Sequence, residues 1–154
     1  MASANTIPIS STVHDFWVAE RDGGSARWLR LAIQNEVCTL LGQHAKTGST
    51  ESDFAALAAE VTPSAPCYVL FREDGRRWVL VSYIPDGASV RERTMYASAL
   101  NSLARDLGDE YFAYRARFAS PADFSWSALK AEQQPVECLN EREQHFKQLD
   151  EMEN

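Results

Sequence analysis

Two runs of apolar, β-favouring residues stand out near the middle of the chain, from Cys67 to Phe71 and from Trp78 to Tyr83. Their side chains are apolar at successive positions rather than at alternate ones, which is typical of central strands that are covered on both faces. Asp74 and Gly75 lie between the two runs, and Gly tolerates the positive φ that a tight turn requires. The pattern therefore predicts two adjacent antiparallel strands joined by a hairpin turn.

A longer segment that follows Pro85 has the period of an α-helix. Apolar residues recur in it at i, i+4, i+7 and i+11, which places them on one stripe of a helix. The residues of this stripe are Tyr96, Leu100, Leu103 and Leu107. Gly108 follows as a typical C-cap, so the pattern predicts a helix from about Ser89 to Leu107. The opposite face of this helix is predicted to carry Arg91, Met95, Ser98, Ser102 and Arg105.

The rest of the chain predicts shorter elements, which are placed by capping residues, apolar patterns and helix-breaking prolines. In chain order they are an arm over residues 1–9, a helix capped by Ser10 or Ser11, strands from Trp28 to Ile33 and from Val37 to Leu41, a loop from Gly42 to Ser52, a helix capped by Ser52 or Asp53, a strand from Tyr111 to Phe118, and a last helix capped by Asp123. Hairpin strands between isolated helices predict a mixed sheet sandwiched by helices.

Length and charge narrow the function classes. A chain of 154 residues is long enough for one domain with its own core. The net charge of −7 argues against nucleic acid as the main partner. Glu137 to Asn154 contains six acidic and two basic side chains, so we expect a domain over residues 1–135 and an acidic helical tail or linker over residues 136–154. No apolar run is long enough for a transmembrane segment, and the N-terminus does not have the pattern of a secretory signal, which favours a cytoplasmic protein.

Residues with catalytic or metal-binding potential are scattered. Cys38, Cys67 and Cys138 form no CxxC pair, and His14, His44 and His145 belong to no HxxxH or HExxH pattern. Cys38 and Cys67 are expected to be inert apolar residues in strands. The sequence therefore predicts neither a catalytic centre, nor a metal site, nor a cofactor.

Two motifs give the chain a family resemblance. The segment from Ser89 to Ser98 reads S-V-R-E-R-T-M-Y-A-S. It resembles the start of the long helix in the actin-depolymerising-factor (ADF) homology family of cofilins and twinfilins, which has the pattern P-V-R-x-K-M-x-Y-A-S. The segment from Pro66 to Arg72 reads P-C-Y-V-L-F-R and is similar to the P-C-Y-I-L-F-R of twinfilins. The resemblance implies an α/β fold of the α+β type, gelsolin-like, with a five- to six-stranded mixed sheet and helices on both faces.

The same resemblance implies a function. It suggests a non-enzymatic protein of the cytoplasmic actin cytoskeleton that binds actin monomers with a preference for ADP-actin, and that inhibits nucleotide exchange and filament assembly. The family's contact regions are the N-terminal arm, the front of the long helix and the region before the last helix. Carried over to this chain, the expected actin-binding residues are Thr6, Ile7, Arg91, Arg93, Thr94, Met95, Ser98, Arg105 and Asp123.

An alternative function is a phosphoinositide-binding module, with PIP2 as an example of its ligand, or a filament-side-binding module similar to cofilin and coactosin. In either case Arg76 and Arg77 are the residues expected to contact the filament side or the phosphoinositide. Basic residues available to anionic head groups are Arg72, Arg76, Arg77, Arg91, Arg93 and Arg105.

The chain also departs from the family pattern, because Thr94 stands where Met is usual and Leu100 stands where Lys or Arg is often found.

Overall fold

The computed structural model describes residues 7–74 and 77–131. Its centre is a five-stranded sheet with the strand order β2-β1-β3-β4-β5. The strands are β1 (Ala26–Gln34), β2 (Val37–Ala45), β3 (Cys67–Asp74), β4 (Arg77–Tyr83) and β5 (Phe112–Phe118). The α-helices are α1 (Ser11–Glu20), α2 (Thr50–Ala55) and α3 (Val90–Leu107), and a further helical segment covers residues 126–131. Short 3-10 turns span Ala56–Ala59, Asp109–Tyr111 and Pro121–Asp123.

The sheet is mixed, as predicted. The three pairs β1–β2, β1–β3 and β3–β4 are antiparallel, whereas β4 and β5 are parallel. A parallel pair needs a crossover connection, and α3 supplies it. In the predicted hairpin Val69 pairs with Val81 and Leu70 with Leu80, so the two apolar runs are indeed adjacent antiparallel strands.

Each face of the sheet carries its own core. On one face α1 and α3 contribute Trp17, Tyr96 and Leu103, which pack with strand residues such as Leu29 and Leu80. On the other face α2, the turn that follows it and the segment 126–131 contribute Phe54, Leu57 and Leu129, which pack with Val69 and Val81. Because β3 and β4 are covered on both faces, their side chains are apolar at successive positions.

Helix α3 begins and ends where the sequence predicts. Ser89 is its N-cap, and Gly108 follows its last residue with φ of 103°, a backbone conformation that Gly adopts without a Cβ clash. Tyr96, Leu103 and Leu107 are buried, but Leu100 is only half-buried at the edge of the core. The prediction that Ser102 lies on the polar face is wrong, because Ser102 is buried and its hydroxyl donates to the Ala99 carbonyl at 3.1 Å.

Three of the boundaries that differ from the prediction have a clear physical reason. Strand β2 continues to Ala45, into the first part of the predicted loop from Gly42 to Ser52, because pairing with β1 extends it. Helix α2 is capped by Ser49, whose hydroxyl accepts a hydrogen bond from the Ser52 amide at 3.1 Å, and not by Ser52 or Asp53. The last helical segment follows Ser125, whose hydroxyl accepts from the Ala128 amide at 3.2 Å, so Asp123 is not its cap.

Candidate protein-binding surface on the long helix

Two tyrosines fix the orientation of α3 on the sheet. The Tyr96 hydroxyl accepts a hydrogen bond from the Ile33 amide at 2.7 Å, and the Tyr68 hydroxyl donates to the Tyr96 carbonyl at 2.5 Å. The Trp17 indole of α1 donates to the Leu107 carbonyl at 2.7 Å, which holds the other end of the helix. With these contacts facing the sheet, the opposite side of α3 faces solvent.

The outward side of the first half of α3 carries several of the predicted binding residues. Arg91, Thr94 and Ser98 are exposed, whereas Met95 is half-buried and packs against the core. The Ser98 hydroxyl donates to the Thr94 carbonyl at 2.8 Å within the helix, so its polar group is already satisfied. The result is a surface of small groups flanked by basic side chains, which a partner can approach closely.

A capping box fixes the start of this surface. The Ser89 hydroxyl accepts from the Glu92 amide at 3.1 Å, and the Glu92 carboxylate accepts from the Ser89 amide at 3.3 Å. The box satisfies amides that would otherwise be unpaired at a helix N-terminus. The partial positive charge of the helix dipole lies at the same end as Arg91 and Arg93 and adds to their attraction for anionic groups.

A groove of about 610 Å³ runs beside the first half of α3. It brings together Arg93 and Asp123, which are thirty positions apart in the sequence. The groove is lined by Ser82, Ile84, Asp86, Arg93, Ala97, Arg117, Phe118, Ala119 and Asp123. The Asp123 carboxylate accepts from the amides of Ala119 and Ser120 at 2.9 and 3.2 Å, which shapes the turn before the last helical segment.

Only Arg93 and Asp123 of the groove residues are predicted from the sequence, and Ser82 and Arg117 are among those that are not. Ser82 lies on the buried strand β4 and Arg117 on β5, where their order in the sequence gives no sign of proximity to α3. Ser82 pairs with Arg117 in the parallel ladder, and this pairing places both beside the helix. Only a prediction of that parallel pairing could have found them.

Two other predicted contact residues, Ile7 and Arg105, are not among the residues that line the groove. Ile7 is buried in the core, and Cys38 of β2 holds the arm next to it through hydrogen bonds to Pro8 and Ser10 at 2.8 and 3.0 Å. Thr6 lies outside the described residues. Arg105 is exposed at the other end of α3, fourteen residues or about 21 Å from Arg91 along the helix axis.

Two of the described basic residues of the alternative hypothesis, Arg72 and Arg77, are held by contacts within the domain. Arg72 is only 1% exposed; it donates to the Ala26 carbonyl at 2.8 Å and stacks on the Trp78 ring at 4.4 Å, so the expectation that it meets a ligand is wrong. Arg77 is paired with the buried Glu73 at 2.5 Å. Arg76 lies outside the described residues.

Glu73 is the centre of a polar cluster at the β3–β4 end of the sheet. It accepts from Lys130 at 2.5 Å, from Arg77 at 2.5 Å and from the Tyr114 hydroxyl at 3.0 Å. Burial alone would raise the pKa of Glu73, but these three hydrogen bonds hold the pKa below its usual range. The positive charges of Arg77 and Lys130 are therefore partly neutralised within the domain.

Other kinds of site find little support in the part of the chain that the structure describes. There, no three His, Cys, Asp or Glu side chains are grouped closely enough to ligate a metal ion. Burial raises the pKa of the Cys67 thiol to about 11 and that of Cys38 to about 12, so neither is a reactive thiolate at neutral pH. Among the same residues, no helix has the length and hydropathy needed to cross a bilayer.

Comparison with known proteins finds twinfilins among the relatives of this chain. Twinfilin from Aedes aegypti is 35% identical over 91 residues, which cover 55% of this chain and 26% of that protein. Twinfilin from Dictyostelium discoideum is 25% identical over 132 residues, which cover 81% of this chain and 39% of that protein. The solved structure of Eh twinfilin superposes with a TM-score of 0.77 at 24% identity and covers 84% of this chain and 99% of that one, which shows a shared fold.

These twinfilin matches cover a larger share of this chain than of the twinfilins themselves. The chain spans between about a quarter and two-fifths of the length of the two curated twinfilins. In contrast, the sequence profile of the family described as "Cofilin/tropomyosin-type actin-binding protein" matches residues 6–134, which is most of the chain. The chain therefore belongs to the cofilin/tropomyosin-type family of actin-binding proteins.

Proposed function

We propose that this domain binds monomeric actin through the first half of α3 and the groove beside it. The observation that carries the proposal is the outward face of α3, where Arg91 and Arg93 flank the small side chains of Thr94 and Ser98 at the positive end of the helix dipole. Membership of the family supports actin as the partner. A guanidinium suits such an interface because its planar fork holds carboxylates in fixed geometry.

The family resemblance also supports a more specific proposal about which form of actin is bound and with what effect. The domain would prefer ADP-actin, slow nucleotide exchange on the monomer and withhold it from filament assembly in the cytoplasm. It would act by binding alone, without catalysis. Thr6, Ile7, Met95, Arg105 and Asp123 remain proposed contributors, and the burial of Ile7 fits a role in holding the arm rather than in direct contact.

The phosphoinositide or filament-side function has weaker support. Arg72 is buried, and Arg77 is engaged by Glu73. A head group or a second actin that used these two arginines would have to displace their internal contacts. The outward face of α3 requires no such rearrangement.

The decisive experiment is the double substitution Arg91→Ala with Arg93→Ala. Each arginine is expected to contribute about 1–3 kcal/mol through partly desolvated, charge-assisted contacts. The Kd for ADP-actin monomers should therefore rise by at least about tenfold, which corresponds to about 1.4 kcal/mol. Suppression of nucleotide exchange should be lost. The melting temperature should change little, because neither residue belongs to the buried core.

A suitable control is Lys46→Ala. Lys46 is an exposed basic residue just after β2, on the sheet edge opposite to β5, and its removal should leave actin affinity unchanged. Lys130 is unsuitable as a control because its ammonium pairs with the buried Glu73. Unchanged actin affinity in a folded double variant would refute the proposed function.

A further inference from the structure

One residue that lines the groove beside α3 has a buried hydroxyl with no partner among the described residues. Ser82 is only 2% exposed, and its Oγ makes no hydrogen bond within the described part of the chain. Ser82 follows Trp78 and Leu80 on the face of β4 that α3 covers. Buried hydroxyls are normally hydrogen-bonded, and leaving one unpaired is unfavourable. Its position on a groove open to solvent suggests a partner from outside the domain.

A second residue of the same lining also has an unpaired donor. The Nε of Arg93 is buried and makes no hydrogen bond to any described residue. Arg117, from the neighbouring strand, adds a second guanidinium to the lining. The acidic side chains of the groove are placed differently: Asp123 already accepts from two backbone amides, and Asp86 is exposed. Two residues of the lining, one of them cationic, therefore each have a donor atom that is buried and unpaired among the described residues, and one negatively charged group entering between them can satisfy both.

We infer that the groove receives a carboxylate side chain of the protein that docks on α3, with the Ser82 hydroxyl and the Arg93 Nε–H group as donors. This inference rests on the proposed function and names the chemistry that the partner must supply. One carboxylate has two oxygens and can accept from both donors. Asp86 and Asp123 in the lining would repel a doubly charged phosphate more strongly than a singly charged carboxylate.

The substitution Ser82→Ala separates this role from a structural one. Removing an unpaired buried hydroxyl should leave the melting temperature unchanged or raise it. Removing a donor to a bound carboxylate should weaken binding of ADP-actin monomers by about tenfold, the loss expected for a hydrogen bond to a charged group. The matched control is Ser102→Ala, which removes another buried serine hydroxyl that is satisfied within α3, and it should leave actin affinity unchanged. Wild-type affinity in Ser82→Ala would overturn the inference.

A titration without actin keeps the inference distinct from the proposed function. Sodium acetate should shift the Arg93 Nε–H and Ser82 amide resonances in ¹⁵N NMR spectra, whereas sodium chloride at equal ionic strength should not. The shifts should be reduced in Ser82→Ala. A response to acetate in a protein that fails to bind actin would support the carboxylate site and refute the proposed function. No response to acetate, or a stronger response to inorganic phosphate, would overturn the inference even if actin binds.

Discussion

At the scale of single residues, the ion pair between Arg27 and Asp53 is the clearest use of charge inside this domain. Arg27 Nε donates to Asp53 Oδ2 at 2.8 Å, with 8% and 4% of the two side chains exposed. Asp53 also accepts from the Thr47 hydroxyl at 2.9 Å, and Arg27 donates to the Arg72 carbonyl at 3.1 Å. The pair therefore joins β1, β3, α2 and the loop before α2. The sequence indicated only a capping role for Asp53, because a local pattern cannot reveal a partner 26 positions away.

Asp53→Asn should destabilise the domain. It leaves the Arg27 charge buried without its counter-ion, and breaking such a pair costs about 3 kcal/mol or more. Burial alone would raise the pKa of Asp53, but hydrogen bonds from Arg27 and Thr47 hold the pKa below its usual range. Because the folded-state pKa is lowered, the stabilisation is present above the unfolded pKa of about 3.9 and is lost as the pH falls through the folded pKa.

Urea unfolding at neutral pH and at steps below pH 4 checks this prediction. The difference in unfolding free energy between wild type and Asp53→Asn should be largest at neutral pH and should shrink in acid. Asp22→Asn is the control, because Asp22 is exposed and its contact with Arg21 is 3.9 Å long, so its effect should stay below about 1 kcal/mol. A loss in Asp53→Asn that is independent of pH would show that packing, and not charge, is responsible.

At the scale of elements, the β1–β2 hairpin has an unusual turn. Asn35 and Glu36 connect the strands with φ of 53° and 63°, the left-handed conformation that two-residue hairpin turns require. Asn tolerates this region, whereas a Glu at such a position carries a steric cost of about 1–2 kcal/mol. The strands hold the turn in place through a ladder that extends from Gln34 and Val37 outward.

Glu36→Gly should therefore stabilise the domain. Relief of the steric cost is partly offset by the greater backbone freedom of Gly in the unfolded chain, about 0.5–1 kcal/mol. A net gain of about 0.5–1 kcal/mol is expected, measured by urea unfolding. Asn35→Gly should give a smaller gain in unfolding free energy, because Asn already accommodates a positive φ. A gain in Asn35→Gly equal to that in Glu36→Gly would show that steric strain at Glu36 is not the cause.

The elements also show how far sequence patterns determine this structure. The β3–β4 hairpin and α3 were predicted because their signals are local: successive apolar residues around Asp74 and Gly75, and a capped helical stripe. Sequence patterns did not predict the extension of β2 to Ala45 or the burial of Ser102, because both depend on neighbouring strands. The front of α3 could be proposed from its motif. The groove beside it could not, because it exists only through the parallel pairing of β4 and β5.

At the scale of the whole molecule, charge is distributed unevenly. The chain has a net charge of −7, although the proposed binding face carries Arg91 and Arg93. The six acidic and two basic side chains from Glu137 to Asn154 supply much of that negative charge. This predicted tail lies outside the described residues. A basic binding face therefore coexists with a strongly acidic segment in the same chain.

Deletion of residues 137–154 should leave actin affinity within tenfold of wild type, less than about 1.4 kcal/mol. The segment carries none of the residues proposed to contact actin. If it has any electrostatic influence, it should compete with the partner's carboxylates for Arg91 and Arg93, so its removal should strengthen binding slightly at low salt. That difference should vanish near 1 M salt, where the screening length falls to about 3 Å. Kd values for ADP-actin monomers, measured at both salt concentrations for the full and shortened chains, check this. A loss beyond tenfold in a folded, shortened chain would make the tail part of the binding site.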